Sequence, residues 1–235
     1  MEMSNSESFL DTYNKIDDFL KKYDHHDSYV TFAHKLKHTS NKVAKIYKDE
    51  LISFGELRNA IVHFPKIENK AIAEPHEQTV KRLNELFEKI SNPIKVTPTF
   101  SLDTLDAKKH DFINDILIEM KDKSYSQFPV LNDNNHVIEL INNNTISRWL
   151  SFQMEDNGTI MIENAKIEDL IAHIEFNKNY KFISKDSSIY QAYDMFINHI
   201  NTKKRNLDVI FITNSGKEKE KLLGLITIED IALKI

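Results

Sequence analysis

A short run of polar residues late in a predicted helix carries the side-chain types that phosphoryl chemistry needs. Arg58, Asn59 and His63 lie within six positions of one another. An imidazole titrates near neutrality, so His63 can act as general base on a 2′-hydroxyl or as general acid to a leaving oxygen. A guanidinium can stabilise the charge of a phosphorane, which is the role expected of Arg58. These three residues are therefore candidate catalytic residues for phosphoryl transfer.

Helix geometry limits how this group can assemble. At about 100° per residue, Asn59 and His63 share a face, whereas Arg58 and His63 lie about 140° apart. One helix is not expected to bring Arg58 to His63, but a two-fold homodimer can place one chain's pair against the other's. The structural alternative is that His63 packs at the helix end and Arg58 pairs with a nearby carboxylate. The available carboxylates are Asp49, Glu50 and Glu56.

Residues 5–92 are predicted to form a bundle of amphipathic helices. Their apolar residues recur at three- and four-residue spacing. Three stripes are distinguishable: Phe9 to Tyr23, Phe32 to Ile61 and Val80 to Ile90. Ser4 or Ser6 is a suitable cap for the first helix. Pro65 is expected to end the second, long helix, and Pro75 to begin the third.

From about residue 94 the pattern changes to short β-type runs. Four runs are predicted to be strands: 128–131, 137–141, 209–212 and 222–226. Amphipathic helices are predicted over 111–120 and 188–200, and each precedes a pair of strands. Strands that alternate with helices indicate an α/β or α+β domain.

This second half contains an internal repeat. In each copy a helix leads to two strands and a further helix. The aligned residues are Met120 with Phe196, Pro129 with Ile210, and Thr145 with Asp230. The second copy is longer by insertions at 201–205 and 217–220, which are predicted loops. Insertions confined to loops are what a repeated fold tolerates.

The repeat resembles a pair of CBS domains. The specific matches are Ser-Gln-Phe-Pro-Val at 126–130 and Gly-Leu-Ile-Thr-Ile-Glu-Asp at 224–230, and the resemblance covers about residues 94–235. It implies two β-α-β-β-α units, over 94–152 and 165–235, that pack sheet to sheet and leave two clefts for adenosine-containing ligands. The predicted fold class is therefore α+β, with an N-terminal α-helical bundle followed by a tandem CBS pair.

The resemblance assigns ligand-binding roles at the start of the last helix of each copy. In the second copy Thr227 and Asp230 occupy the family's positions, where the Asp accepts both ribose hydroxyls. The alternative is that Thr227 and Asp230 only cap the helix. The first copy departs from the pattern, with Glu139 for Gly, Asn142 for Thr or Ser, and Thr145 for Asp. A neutral Thr is a poorer bidentate acceptor than a carboxylate, so this site is degenerate or serves another ligand.

The adenine ring in this family is held by backbone near the start of each copy and by apolar side chains. The residues that correspond here are Phe182, Ile183, Ser184, Val209 and Ile210 in the second copy and Phe128 and Pro129 in the first. Core packing is the alternative for each of them. The compact basic triplet 203–205 is expected to be a solvated loop, with phosphate contact as the alternative.

The N-terminal half carries a second, shorter resemblance. Arg58-Asn59 followed by His63 resembles the motif of HEPN domains and lies late in the second, long predicted helix. The resemblance covers about residues 5–92. The resemblance implies a helical, often dimeric domain that is a metal-independent ribonuclease in many members of the family.

Composition excludes several classes of site. The 4 glycines are scattered, which excludes a Walker P-loop and a GxGxxG loop. Because the chain has 0 cysteines, thiol nucleophiles, disulfides and Cys-based metal sites are excluded. No metal cage is recognisable. The net charge of −5 does not favour DNA binding. The absence of a long apolar run and the acidic, polar N-terminus predict a cytoplasmic protein that crosses no membrane.

Three functions remain open from the sequence. The first is a regulatory protein whose CBS pair binds AMP, ATP or a related adenine nucleotide and whose helical domain forms a homodimer and transmits the response. The second makes the helical domain a ribonuclease gated by that ligand. The third is an interaction protein with empty, degenerate clefts. None of the three requires a cofactor.

Overall fold

A computed structural model of the chain describes residues 3–25, 30–63, 73–100, 106–156, 158–160 and 162–234. The chain divides into two compact units, residues 1–94 and 95–235. The first unit is helical, and the second contains two small three-stranded sheets with helices. The predicted α+β class, with an N-terminal helical bundle, is confirmed.

Amphipathic helices form the first unit. They are α1 (Asn5–Tyr23), α2 (Phe32–His38), α3 (Lys42–Ile46), α4 (Lys48–His63) and α5 (Glu77–Ser91). Helix α1 packs against α5 and α4, and α2 packs against α4. Apolar residues of the predicted stripes fill the core, among them Phe9, Ile16, Leu20, Leu36, Leu51, Leu83 and Leu86. Burial of these stripes is the main source of helix stability in such a bundle.

Two predicted helix boundaries are wrong. The stripe from Phe32 to Ile61 is three helices, with breaks before α3 and at Tyr47. At the first break Asn41 caps α3, because its side chain accepts from the Ala44 amide at 3.0 Å, and it also donates to the Ile90 carbonyl at 3.2 Å. Pro75 does not begin α5, which starts at Glu77 after an N-cap at position 76. Pro65 lies outside the described residues.

The cap of α1 is Ser4 and not Ser6. The Ser4 hydroxyl accepts from the Glu7 amide at 3.2 Å, and the Glu7 carboxylate accepts from the Ser4 amide at 2.9 Å. This reciprocal pair satisfies two of the backbone donors that a helix start leaves free. Ser6 is buried in the first turn instead.

A buried ion pair joins α1 to α2. The Lys35 ammonium lies 2.8 Å from an Asp17 carboxylate oxygen, and the Lys35 side chain is 3% exposed. We expect Asp17→Asn to lower the free energy of unfolding of the helical unit by about 3 kcal/mol, because it leaves a buried ammonium without its counter-charge. Denaturant unfolding followed by circular dichroism measures this change.

Asp11→Asn is the matched control for that prediction. Asp11 forms an ion pair with Lys15 at 2.6 Å on the same helix, but both side chains are about half exposed. Its loss should change the free energy of unfolding by less than about 0.5 kcal/mol. If both substitutions lower the free energy of unfolding equally, burial of Lys35 does not determine the contribution of its ion pair.

The second unit consists of short strands and helices. They are α6 (Val96–Thr99), β1 (Ala107–Lys108), α7 (Ile113–Lys123), β2 (Gln127–Leu131), β3 (Val137–Asn142), α8 (Asn143–Phe152), α9 (Ile167–Ile171), β4 (Tyr180–Ser184), α10 (Ile189–Lys203), β5 (Val209–Thr213), β6 (Gly224–Ile226) and α11 (Ile228–Ala232). The first sheet has the order β1-β2-β3 and the second β4-β5-β6.

The two sheets have the same topology. In each, the first strand pairs parallel with the second, which pairs antiparallel with the third. With their helices they form β1-α7-β2-β3-α8 and β4-α10-β5-β6-α11, so the predicted repeat is present as two β-α-β-β-α units. The predicted alignment of the central strands is off by one residue. Pro129 pairs with Leu140 and Phe211 with Leu225, so Pro129 corresponds to Phe211 and not to Ile210. A slip of one residue moves a side chain to the other face of its strand.

The unit has a core in the first copy and an apolar layer between the copies. The core of the first copy gathers Phe128, Val130, Ile141 and Trp149 with Ile167 and Leu170 of α9. The layer between the copies contains Leu131, Val137 and Leu140 from the first sheet and Val209 and Phe211 from the second. Side chains from both sheets thus pack face to face, which fixes the end of β3 close to the start of β5.

Candidate functional site

A polar cavity of about 230 Å³ lies where the first copy meets the second. Its lining comes from the end of β3, the start of α8, the segment before β4 and the segment before β5. The lining residues are Leu140, Asn142, Asn144, Thr145, Ile174, Glu175, Phe176, Asn179, Arg205, Asn206 and Asp208. Asn142 and Thr145, the residues predicted at the start of the last helix of the first copy, are both in this lining.

Asn142 links the helix start to the opposite wall of the cavity. Its Oδ1 accepts from the Thr145 amide at 3.0 Å and from the Thr145 hydroxyl at 3.1 Å. Its Nδ2 donates to Asp208 Oδ2 at 3.4 Å. Asn142 and Thr145 therefore cap α8, and Asn142 also holds the Asp208 carboxylate at the cavity.

Two buried polar atoms of the lining have no hydrogen-bond partner among the described residues. They are Asn179 Oδ1 and Arg205 Nε. Asn179 is 3% exposed, and its Nδ2 donates to the Asn206 carbonyl at 3.0 Å. The Arg205 guanidinium lies 4.3 Å from the centre of the Phe176 ring. A buried polar atom without a partner costs about 1–3 kcal/mol, so such atoms beside a cavity indicate a bound ligand or water.

Burial shapes the titration of two groups here. Burial raises the pKa of the Asp208 carboxyl, against the opposing effects of amide hydrogen bonds and of the Arg205 guanidinium. Burial lowers the pKa of His199, and the neighbouring charges of Lys181 and Arg205 lower it further. His199 Nε2 is buried without a partner among the described residues. The neighbourhood of the cavity therefore favours a neutral imidazole over a charged one.

The sequence did not indicate Asn179, Arg205 or Asp208 as a group. Asn179 and Asp208 each directly precede a strand, where polar residues are common in turns. Their proximity to Asn142 depends on the packing of the two sheets, which local sequence does not reveal. The basic triplet 203–205 gave a partial signal, since Arg205 lines the cavity whereas Lys203 and Lys204 are exposed.

Thr227 and Asp230 form a capping box at the start of α11. Asp230 Oδ2 accepts from the Thr227 amide and hydroxyl, both at 2.8 Å, and the Asp230 amide donates to the Thr227 hydroxyl at 3.3 Å. Thr227 and Asp230 therefore cap α11, as the structural alternative for these residues predicted. The second carboxylate oxygen makes no hydrogen bond to a described residue and keeps its capacity as an acceptor.

The residues predicted to hold adenine have packing roles. Phe182 contacts Tyr180 and Phe211, with ring centres 5.7 and 5.8 Å apart. Five others are buried: Phe128, Pro129, Ile183, Val209 and Ile210. The loop after β5 covers the end of β4, since a Cβ at Gly216 would lie 3.0 Å from the Ser184 amide nitrogen. None of the seven is among the lining residues of the 230 Å³ cavity.

Glu139, which replaces the family's Gly in the first copy, connects the two copies. Its Oε1 accepts from the Leu140 amide at 3.0 Å and from the Lys178 amide, just before β4, at 3.1 Å. The carboxylate is buried, and its charge adds to the effect of burial in raising the pKa of Tyr180. This departure from the family pattern therefore has a structural explanation.

In the helical unit, Arg58 and His63 of one chain are in contact. Arg58 Nη1 lies 3.2 Å from His63 Nε2 and donates to Asn59 Oδ1, also at 3.2 Å. The expectation that one helix cannot bring Arg58 to His63 is wrong, because angles between Cβ directions ignore the reach of a long Arg side chain. Glu50, one of the alternative partners, binds Arg82 instead at 2.7 and 2.9 Å. A partner chain is thus not needed for the contact.

This contact indicates which nitrogen of His63 accepts a hydrogen bond and which carries the proton of the neutral ring. A guanidinium only donates, so Nε2 is the acceptor and the proton of the neutral ring is on Nδ1. Arg58 also lies over the Tyr13 ring, 5.9 Å from its centre, and burial together with Asp17 raises the pKa of Tyr13 to about 12. The group places a neutral imidazole beside a guanidinium, which suits removal of a hydroxyl proton by the imidazole and stabilisation of an oxyanion by the guanidinium.

The described residues offer neither a metal site nor a membrane-spanning helix. They contain no group of three or more His, Asp or Glu side chains placed to hold a metal ion. Among the helices described, none is long and apolar enough to cross a membrane.

The sequence matches no protein-family model and no curated protein. Solved structures of CBS domain proteins are similar to the chain. A CBS domain-containing protein of unknown function from Bacillus anthracis is 19% identical over 60% of this chain and 91% of that chain, with a TM-score of 0.42. The CBS domain pair of protein MJ0100, in complex with 5′-methylthioadenosine and S-adenosyl-L-methionine, is 13% identical over 60% of this chain and 94% of that chain, with a TM-score of 0.42.

CBSX2 in complex with AMP is 12% identical over 60% of this chain and 94% of that chain, with a TM-score of 0.41. All three TM-scores are below 0.5. Similarity at this level does not identify a ligand for this chain.

Proposed function

We propose that residues 95–235 are a CBS pair that binds an adenosine-containing ligand in the cavity lined by Asn142, Thr145, Asn179, Arg205 and Asp208. The protein is then a regulatory protein, and the helical unit transmits or executes the response. The observation that carries this proposal is a pair of buried atoms at the cavity, Asn179 Oδ1 and Arg205 Nε, to which no described residue offers a hydrogen bond.

The chemistry of the lining suits a nucleoside. A buried amide oxygen and a carboxylate are acceptors for exocyclic amine and hydroxyl groups, and a guanidinium is a donor. Leu140, Ile174 and Phe176 supply apolar surface for a base. Sites for small molecules commonly combine such an apolar wall with a few convergent polar groups. The resemblance of the sequence to CBS pairs adds adenine as the expected base.

The test is a thermal shift measured on the full chain. The single tryptophan, Trp149, lies in the core of the first copy, so its emission reports unfolding of residues 95–235. A bound adenine compound at 100 times its Kd should stabilise this unit by about 2.7 kcal/mol, which raises Tm by roughly 5–10 °C. Asn179→Ala should remove most of the shift, measured against its own ligand-free Tm, and the exposed Asn134→Ala should keep it.

Asp230→Ala separates the two clefts. If the ligand binds the second copy through Thr227 and Asp230, Asp230→Ala abolishes the shift and Asn179→Ala does not. We place the ligand at Asn179, so we expect Asn179→Ala to abolish the shift and Asp230→Ala to leave it unchanged. If adenosine, AMP and ATP all leave the Tm of the wild type unchanged, the regulatory proposal is wrong.

A second candidate function is favoured by the 3.2 Å contact between Arg58 and His63. It assigns the helical unit a metal-independent ribonuclease activity that the CBS pair controls. In this scheme the Arg58 guanidinium turns from His63 to the phosphate, and His63 Nε2 accepts the proton of the 2′-hydroxyl as its oxygen attacks phosphorus. The bond from phosphorus to the 5′-oxygen then breaks, and His63 returns the proton to the leaving oxygen. A homodimer stays a prediction of the HEPN resemblance, although the Arg58–His63 contact no longer requires one.

A further inference from the structure

The charges in the lining of the 230 Å³ cavity are predominantly acidic. Three of its side chains ionise, and they are Glu175, Arg205 and Asp208. Glu175 has its own exposed counter-charge, the Arg148 guanidinium at 3.8 Å. Arg205 and Asp208 then remain as one cation and one anion in the lining, so it holds no surplus positive charge for an anionic ligand.

Asp208 is directed toward the ligand space by its neighbours. Its amide donates to the Asn179 carbonyl at 3.1 Å, and its carboxylate accepts from Asn142 at 3.4 Å. Burial raises the pKa of this carboxyl, because it removes water donors that would stabilise the charge, and this outweighs the hydrogen bonds from Asn179 and Asn142. A ligand hydroxyl or amine supplies such a donor. An ionised phosphate supplies none and repels the carboxylate.

The basic triplet does not change this balance. Lys203 ends α10, and Lys204 is an exposed residue with φ +57° that terminates the helix. Neither lysine lines the cavity. Arg205 alone reaches the lining, where its guanidinium stacks on Phe176. One guanidinium can offset the charge of Asp208, but it cannot also neutralise a phosphate.

The size of the cavity supports the same conclusion. Sites for drug-sized ligands commonly measure about 300–1,000 Å³. At about 230 Å³ this cavity lies below that range. It therefore favours a ligand of nucleoside size over one that carries a chain of phosphates.

We infer that the cavity binds a phosphate-free adenine nucleoside and that Asp208 is the residue that discriminates against the phosphorylated forms. This inference rests on the proposed function and narrows it. Asp208 accepts a hydrogen bond from the nucleoside, whereas a 5′-phosphate brings a second negative charge close to the same carboxylate.

The test is isothermal titration calorimetry of the full chain with adenosine, AMP and ATP at one ionic strength. Adenosine should bind at least about tenfold more tightly than AMP, and ATP more weakly still, because each phosphate brings a further negative charge near the partly buried Asp208 carboxylate. Asp208→Asn keeps the shape of the side chain and removes its charge, so it should reduce the preference for adenosine by about tenfold. Asp133→Asn, in the exposed turn between β2 and β3, is the matched control and should leave the preference unchanged.

The outcomes separate the inference from the proposed function. If AMP or ATP binds the wild type as tightly as adenosine does, the inference is wrong and the regulatory proposal stands. An unchanged adenosine-to-AMP ratio in a folded Asp208→Asn variant also overturns the role of Asp208. If none of the three compounds binds, both are wrong. Because the wild-type ratio is decisive by itself, the test does not depend on the variant folding.

Discussion

His63→Ala is expected to abolish cleavage of single-stranded RNA by the full chain, if the helical unit is a nuclease. The substitution removes the imidazole that lies beside the Arg58 guanidinium and transfers the proton from the 2′-hydroxyl to the leaving oxygen. Arg58→Ala should slow cleavage by about 10²–10³-fold, the effect of losing one preorganised donor to a developing oxyanion. Cleavage should need the 2′-hydroxyl, so DNA of the same sequence should survive. The measurement is the rate of product formation on labelled RNA and DNA, with and without adenosine.

His76→Ala is the matched control, because His76 is an exposed histidine of the same unit that makes no side-chain cap hydrogen bond. It should retain the wild-type rate. Chelators should have no effect on a reaction that uses only side-chain groups. Activity that persists in His63→Ala would identify a contaminant or a different site. RNA that remains intact with the wild type under both conditions would leave only the regulatory proposal.

Trp149→Ala should lower the free energy of unfolding of the second unit by about 3–5 kcal/mol, as large-to-small substitutions of buried aromatic residues do. Trp149 is 2% exposed and packs in the first copy's core with Phe128 and Ile141. Its loss removes a large apolar surface and leaves a cavity that the surrounding strands cannot fill. Denaturant unfolding followed by circular dichroism gives the value, since the fluorescent probe is lost with the residue.

Phe152→Ala on the same helix provides the comparison. Phe152 is 70% exposed, so its removal should change the free energy of unfolding by no more than about 0.5 kcal/mol. A cost for Trp149→Ala below about 1 kcal/mol would mean that the first copy's core is not as closely packed as the burial of Trp149 indicates.

Local signals in the sequence were sufficient for the repeat and the caps. Short apolar runs located β2, β3, β5 and β6 but not β1 or β4, and the residue types at helix starts indicated Ser4 or Ser6 as the cap of α1 and Thr227 as the cap of α11. These features depend on residues within a few positions of one another. The break within the long predicted helix was missed because a residue distant in sequence takes part in it. The Asn41 side chain both caps α3 and donates to the Ile90 carbonyl.

In the candidate sites, too, the sequence indicated what depends on neighbouring residues and missed what depends on distant ones. Arg58 and His63 were found from their types and spacing, but their direct contact was not, because the helical angle says nothing about the length of a side chain. Asn179 and Asp208 could not be grouped from sequence, since they are about thirty residues apart and meet Asn142 only through the packing of two sheets. Long-range placement of short polar residues is the part of a site that a single sequence conceals.

The segment between the two copies has a consequence for how the second unit folds. Ile167 and Leu170 complete the core of the first copy, while Asn179, further along the same segment, forms a wall of the cavity and precedes β4. The amides of Ile167 and Glu168 donate to the carbonyls of Asp111 and Lys109 at 3.0 and 2.9 Å. Because one stretch of chain contributes to both copies, neither copy can open fully without disturbing the other. The unit should therefore melt as a single cooperative domain, and a ligand held at Asn179 tightens both halves together.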